Sequence, residues 1–259
     1  MQNIDPLLFL LPVLAIATSL GPIIYWWYRR GLRGIILPLS FGAYFLAIGA
    51  KEAIQIPTIG FVMARFGQTS IGLGLYYGLQ TVFLEVGLAY LFARFAVKRW
   101  GLSAKDAVPY GLSLAFWENG VLLGALSILN YGVLYLLLSG GTSTAATTYS
   151  QLVAAEPSLF LAPATLLPLE LIGTLERISS QLVHVAFGVL CVYSAVSGKK
   201  KYLAYALPMG LVDALVPFAS LNTNLFEAGI FVLSLLFLCV AWKASKGIVP
   251  NQVPSPVGA

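Results

Sequence analysis

Four ionisable residues lie deep inside apolar stretches of this chain, and they are the first candidates for chemistry. They are Glu85, Glu118, His184 and Asp213. A charge at the centre of a bilayer costs about 2.5 to 3.5 kcal/mol on insertion scales, so such residues need a partner or a wet cavity. Carboxylates close to a histidine can move protons or hold a polar ligand. The four residues therefore predict a shared polar site inside a membrane protein.

The depth of these residues in the membrane supports that prediction. Each lies 9 to 15 residues from the nearest group of Lys and Arg residues. At 1.5 Å of rise per residue, this places all four about 14 to 22 Å from one membrane boundary. Glu176 and Arg177 lie about two helical turns further out on the helix of His184. Because Arg177, Gln181 and His184 share one helix face, we expect them to form the outer wall of the site.

The composition requires helices that cross a membrane. The chain has 259 residues, of which 59% are hydrophobic and only 10% are charged, whereas soluble domains carry about a quarter charged residues. Seven apolar runs are long enough to cross a bilayer. They cover residues 7–28, 34–53, 70–93, 107–138, 166–197, 202–221 and 225–242. We therefore predict an all-α polytopic bundle of about seven transmembrane helices, with a single domain over 1–248 and a disordered cytoplasmic tail over 249–259.

The distribution of cations predicts the orientation of the bundle. If the first connection is cytoplasmic, twelve of the fifteen Lys and Arg residues fall on the cytoplasmic side. The opposite side receives Lys51 and Arg65, while Arg177 lies within or at the outer edge of the fifth run. The positive-inside rule then places the N-terminus outside and the C-terminus in the cytoplasm. Six or eight helices would break this alternation, and the net charge of +5 does not imply nucleic-acid binding.

The sixth run and the outer helix ends carry further polar residues. Asp213 shares its run with Pro208 and Pro217, so that run would insert only marginally alone and its neighbours must cover the carboxylate. Glu170 and Glu227 lie near outer helix ends, where we expect solvent to surround them. Residues 139–163 contain no Lys or Arg, which is typical of an outer loop with a short surface helix.

Three stretches of the sequence resemble a known family. They read TVFLEVGLAYLFARFAVKRWGLSAKDAVPYGLSLAFWENGVLLG, then LERISSQLVH, then MGLVDALVPF. They are similar to the YhfC family of intramembrane peptidases, relatives of the CAAX prenyl protease and PrsW groups. The likeness covers most of the chain from the third helix onward. It implies a membrane helix bundle with a catalytic site inside.

The resemblance assigns site residues position by position. The matching positions are Glu85, Glu118, Glu176, Arg177, His184 and Asp213. Four positions that are polar in the family are apolar here, namely Leu84, Leu88, Leu114 and Met209. In the glutamate-type mechanism that the resemblance implies, a carboxylate takes a proton from water while other groups stabilise the oxyanion. Leu84 cannot act as that base. Either Glu118 replaces it with His184 as its partner, or the protein is a catalytically silent relative.

Three functions remain open from the sequence. The first is an intramembrane peptidase, or its degenerate descendant, that cuts or holds a membrane-embedded peptide. The second is a non-catalytic integral membrane subunit of a larger complex. The third is a small-solute or proton-coupled carrier, which is weaker because no inverted repeat is found. Besides the lipid bilayer of the cell membrane, the partners are thus a membrane peptide or other membrane subunits, with no nucleic acid.

The sequence leaves cofactors undetermined. One histidine and several carboxylates can bind a divalent ion, whereas a catalytic zinc site more often has two or more His or Cys ligands. No GxSxG, HExxH, phosphate-binding glycine loop or EF-hand pattern occurs.

Overall fold

Seven long helices make up most of the part of the chain that the structure describes. The computed structural model describes residues 3–246, so the tail predicted over 249–259 lies outside the described residues. All regular structure in the described part is helical. We number the long helices α1 (Pro6–Arg30), α2 (Ile36–Phe66), α3 (Ile71–Trp100), α4 (Ala104–Ser139), α5 (Pro163–Ser197), α6 (Lys200–Leu221) and α7 (Thr223–Ser245).

Each of these helices is long and apolar enough to cross a membrane. The prediction of a seven-helix, multi-pass integral membrane protein is therefore confirmed. Three of the helices end on the side predicted to be cytoplasmic at a glycine with positive φ, where the missing Cβ permits the left-handed turn. These residues are Gly31 after α1, Gly101 after α3 and Gly198 after α5.

Arg33, in the connection between α1 and α2, contacts the connection between α3 and α4. Its Nη2 donates to the carbonyl of Trp100 at 2.7 Å, and its Nη1 lies 3.3 Å from Asp106 Oδ2. The same carboxylate accepts a hydrogen bond from the backbone N–H of Ser103 at 2.8 Å and so caps the start of α4. The first and third connections therefore lie side by side at one end of the bundle.

Helix α2 is longer than the sequence predicted. The apolar run was expected to stop at Ala53, with Lys51 on the outer side of the membrane, but the helix continues to Phe66. Lys51 thus lies within the helix, and its side chain is directed into the bundle and is only 12% exposed. The physical reason is that apolar residues resume after Lys51, so the helix extends beyond the residues that a minimal span needs.

Three of the helices depart from α geometry where they approach the interior. Helix α3 is π-helical over Thr81–Val86, and α4 is π-helical over Phe116–Ala125. Helix α6 begins as an α-helix over Lys200–Ala206 and then winds as a 3-10 helix over Leu207–Leu221. These segments carry Glu85, Glu118 and Asp213 respectively. π-helical segments occur frequently at functional sites, so the region between these helices is a candidate functional site.

Helix α5 is the centre of the bundle. About 72% of the residues in its apolar, membrane-spanning stretch are buried, against 11% to 33% in the corresponding stretches of the other six helices. It packs on α4 through two glycines, because a Cβ added to Gly188 would lie 2.6 Å from the Cα of Gly111. Such an approach requires that neither residue carry a side chain. The two helices that carry Glu118 and His184 are thus held with their backbones in contact.

A shorter helix lies between α4 and α5. It covers Ser143–Ala155 and is followed by a 3-10 turn over Pro157–Phe160. The Thr142 hydroxyl caps it by accepting from the backbone N–H of Ala145 at 3.1 Å. This agrees with the short helix expected within residues 139–163.

Candidate functional site

A cavity of about 420 Å³ lies between six of the seven helices, α2 to α7. Its lining is charged where α2 to α5 meet and mostly apolar along α6 and α7. The six site residues expected from the sequence all line it: Glu85, Glu118, Glu176, Arg177, His184 and Asp213. We call Glu85, Glu118 and Asp213 the acidic cluster.

His184 lies between two members of the acidic cluster. Its Nε2 is 3.0 Å from Glu118 Oε2 and 3.5 Å from Glu85 Oε2, at ion-pair distance but outside good hydrogen-bond geometry. Its Nδ1 is 2.9 Å from the backbone carbonyl of Ser180. A carbonyl oxygen only accepts, so Nδ1 is the ring nitrogen that donates. Nε2 is therefore the ring nitrogen that faces the two carboxylates.

Lys51 joins Glu85 to Asp213, the third member of the acidic cluster. Its Nζ donates to Glu85 Oε1 at 2.5 Å and to Thr81 Oγ1 at 2.9 Å, and it lies 3.3 Å from Asp213 Oδ2. The Thr81 hydroxyl in turn donates to Asp213. Three acceptors thus surround an ammonium group that has three donors. The sequence analysis missed Lys51 and Thr81 as site residues.

Arg177 completes the ionic contacts on the side of Glu118. Its Nη1 is 3.6 Å from Glu118 Oε1 and 3.4 Å from Asn119 Oδ1, and its Nη2 contacts Glu176. The Ser180 hydroxyl donates to Glu118 Oε1 at 3.1 Å. Both oxygens of Glu118 are therefore next to polar groups of α5. Of the predicted outer wall, Gln181 instead donates to the backbone of α1, at Thr18 O.

Close packing of α6 against α3 positions Asp213. A Cβ on Gly74 would lie 2.2 Å from the carbonyl oxygen of Ala214, and a Cβ on Gly210 would lie 2.8 Å from the backbone nitrogen of Val82. The two helices approach this closely only because glycines face the partner helix. This contact brings Asp213 within reach of Thr81 on α3 and Lys51 on α2, although the Asp213 side chain stays 32% exposed.

Two glutamates at helix ends are buried, and the expectation that solvent surrounds them is wrong. Glu170 is 7% exposed, and its Oε2 accepts from the backbone N–H of Leu11 at 2.9 Å. Glu227 is 5% exposed and lines the cavity, and its Oε2 has no hydrogen-bond partner among residues 3–246. Both positions are covered by neighbouring helices, which a count of residues along one helix does not reveal.

A second, apolar pocket lies next to the cavity. It has a volume of about 450 Å³ and is formed by α6 and α7. Phe226 and Ile230 line both spaces. Leu221 and Leu225, each 72% exposed, stand at the outer surface of the apolar pocket. The charged cavity and the apolar pocket are thus neighbours that share two residues of α7.

The profile of the YhfC intramembrane metalloprotease family matches residues 18–240. The chain belongs to this family. No curated protein and no solved structure matches this chain. The membrane-embedded, protease-like character expected from the sequence is therefore confirmed at the level of the YhfC family.

The family description implies a metal ion, but the residues present do not fit one. Within the described residues, 3–246, no three His, Cys, Asp or Glu side chains are arranged to hold a metal ion. The chain has a single histidine. The ammonium of Lys51 occupies the side of Glu85 that faces Asp213, and a divalent ion there would be repelled by it. We therefore derive no chemical step that uses a metal.

Proposed function

We propose that this protein is a catalytically silent member of the YhfC family that holds a membrane-embedded polypeptide in its cavity, as a non-catalytic subunit of a membrane assembly. The observation that carries the proposal is the pairing of the acidic cluster. Lys51 contacts Glu85 and Asp213, while His184 and Arg177 contact Glu118. A carboxylate that activates water must be free to take its proton, and each of these carboxylates already faces a basic side chain.

The apolar residues at motif positions support the same proposal. Leu114 and Met209 stand where the family carries histidines, and each is 2% exposed within the main apolar core. They fill space between helices and offer no donor or acceptor. The polar groups that hydrolysis needs have therefore been replaced by packing, while the cavity itself remains.

The shape and lining of the cavity suit a polypeptide. A membrane-embedded segment presents apolar side chains together with backbone amides that need partners wherever its helix is broken. The apolar pocket on α6 and α7 can receive the former, and the carboxylate of Glu227, which lines the cavity, can accept from an amide N–H. Phe226 and Ile230 line both spaces, so a segment bound in either one would contact them.

Photo-crosslinking at Phe226 tests the proposal. A photoreactive amino acid at this position should give an adduct with a polypeptide in native membranes, identified by mass spectrometry. The matched control is the same amino acid at Leu236, which is 56% exposed on the same helix and should give lipid adducts only. Ala219→Trp, which narrows the cavity, should reduce the Phe226 adduct. Lipid adducts alone at both positions would overturn the proposal and favour a carrier or a scaffold.

A second candidate function is metal-free hydrolysis of the glutamate type. The contact of 3.0 Å between Glu118 Oε2 and His184 Nε2 favours it, since Glu118 lines the cavity and its side chain is 17% exposed. In this mechanism Glu118 takes a proton from water as the water oxygen bonds to the peptide carbonyl carbon. The proton then moves from Glu118 to His184, which donates it to the leaving amine as the C–N bond breaks.

A cleavage assay separates the two candidates. We expect the wild-type protein, reconstituted in vesicles with labelled transmembrane peptides, to cleave no faster than Glu118→Gln or His184→Ala. Wild-type cleavage that drops by about 10²-fold or more in both variants would instead establish Glu118 as the general base and His184 as the proton donor.

A further inference from the structure

The Lys51 ammonium lies among the oxygen atoms that a metal ion would bind. We infer that Lys51 is the resident cation of the acidic cluster and takes the place of a divalent metal ion, so that this member of a metalloprotease family is independent of metal. The inference concerns a residue that the family resemblance does not include. It holds for either candidate function, because both operate without a metal.

The contacts of the ammonium are those of a bound cation. Glu85 Oε1, Thr81 Oγ1 and Asp213 Oδ2 lie 2.5, 2.9 and 3.3 Å from Nζ. They use all three of its donors. The three partners come from α3 and α6, and Lys51 comes from α2. One ammonium therefore links three helices, as a structural metal ion does through its ligands.

The charges around Lys51 explain why a metal is excluded. The Lys51 and Glu85 side chains are 12% and 9% exposed, so their interaction is screened only weakly by water. A divalent ion bound to Glu85 would lie close to the ammonium, and two like charges at that distance repel strongly in a medium of low dielectric constant. Metal binding at these carboxylates therefore requires that Lys51 be removed.

Removal of Lys51 leaves three carboxylates and one imidazole whose chemistry suits a metal. No three of these side chains are arranged to hold an ion while the ammonium is in place, so Glu85 and Asp213 must move into the space that the ammonium leaves. Oxygen and imidazole donors of this kind bind Zn²⁺, Co²⁺ and Mn²⁺. Lys51→Met keeps most of the side-chain volume while removing the charge. We therefore expect this variant to gain a metal site that the wild-type protein lacks.

Cobalt binding to the purified proteins tests the inference. After treatment with EDTA and dialysis, Lys51→Met should bind about one Co²⁺ per chain, and saturating Co²⁺ should raise its unfolding temperature by about 5 °C or more. Visible absorption bands of Co²⁺ report its coordination directly. The wild-type protein should bind about tenfold less, and its unfolding temperature should not respond.

Two controls assign the binding to this cluster. Lys51→Arg keeps a cation, so we expect it to behave as the wild type does. Lys51→Met combined with Asp213→Asn should lose the cobalt site, because one of the two carboxylates around the position of Nζ is gone. Lys51→Gln provides a second neutral variant if Lys51→Met does not fold.

Two results would overturn the inference. One is a wild-type protein that binds stoichiometric Co²⁺ or Zn²⁺ and unfolds at a lower temperature in EDTA. The other is a folded neutral variant that binds no metal. Neither result bears on the polypeptide adduct at Phe226, so failure of this inference and failure of the proposed function are distinguishable.

Discussion

Lys51→Met is expected to lower the free energy of unfolding by about 3 to 5 kcal/mol when no divalent metal is present. The substitution leaves Glu85 and Asp213 inside the bundle without their cation, and an unpaired buried charge is far more costly than a buried pair. The measurement is thermal or denaturant unfolding of the purified protein in detergent with EDTA.

Two further variants check that the loss comes from the unpaired carboxylates. Lys51→Met with Glu85→Gln removes both partners of the closest pair, and we expect it to recover at least half of the lost stability, since replacing both partners is often close to neutral. Lys98→Met makes the same change at an exposed position and should alter stability by less than about 0.5 kcal/mol. Equal stabilities for Lys51→Met and Lys98→Met would contradict the role of the ammonium.

Gly188→Ala should also destabilise the protein, by about 1 to 3 kcal/mol. The added methyl group would lie 2.6 Å from the Cα of Gly111 and 3.1 Å from its nitrogen, and backbone atoms cannot move aside as a side chain can. His184 lies four residues before Gly188, and Glu118 lies seven residues after Gly111. Separation of α4 from α5 would therefore lengthen the contact between Glu118 and His184 as well.

Gly229→Ala is the matched control for this prediction. Gly229 also lies in a membrane helix, α7, but a Cβ added there meets no atom within 4 Å. Alanine favours a helix over glycine by about 0.5 to 1 kcal/mol, so we expect this variant to be as stable as the wild type or slightly more stable. If Gly188→Ala had the same unfolding temperature as Gly229→Ala, the close contact of α4 with α5 would not be needed for stability.

The number and approximate positions of the helices could be predicted because a membrane imposes a simple requirement on sequence. Each span needs about 20 apolar residues, and the connections collect the charges. Helix ends were less certain. The run ending near Ala53 is part of a helix that reaches Phe66, because residues beyond the minimal span remain apolar enough to continue it.

The depth of each ionisable residue, counted from the nearest basic cluster, predicted most of the charged residues of the cavity but not Lys51. This residue is 18 positions after Arg33, which at 1.5 Å per residue is about 27 Å from the basic cluster and beyond the layer of the other candidates. Side chains on a helix are directed toward its N-terminus, so the long lysine side chain reaches back by about 6 Å into that layer. A depth count made from the charged atom would have included it.

The sequence alone could not predict which helices contact each other. Thr81, Ser180 and Glu227 are polar residues in or near apolar runs, and nothing in their spacing distinguishes them from residues that bond to their own helix. Their roles follow from which helices are neighbours, as the contact of Thr81 on α3 with Asp213 on α6 illustrates. A single sequence taken alone contains no information on such pairs.

The π-helical turns that carry Glu85 and Glu118 affect how relatives of this protein should be aligned. A π turn corresponds to one residue inserted into an α-helix, so residues on either side of it are rotated by about 100° relative to uninterrupted α winding. An alignment that forbids gaps within membrane helices would displace one half of α3 or α4 by a residue. Gaps should therefore be permitted within residues 81–86 and 116–125 before polar positions are compared across species.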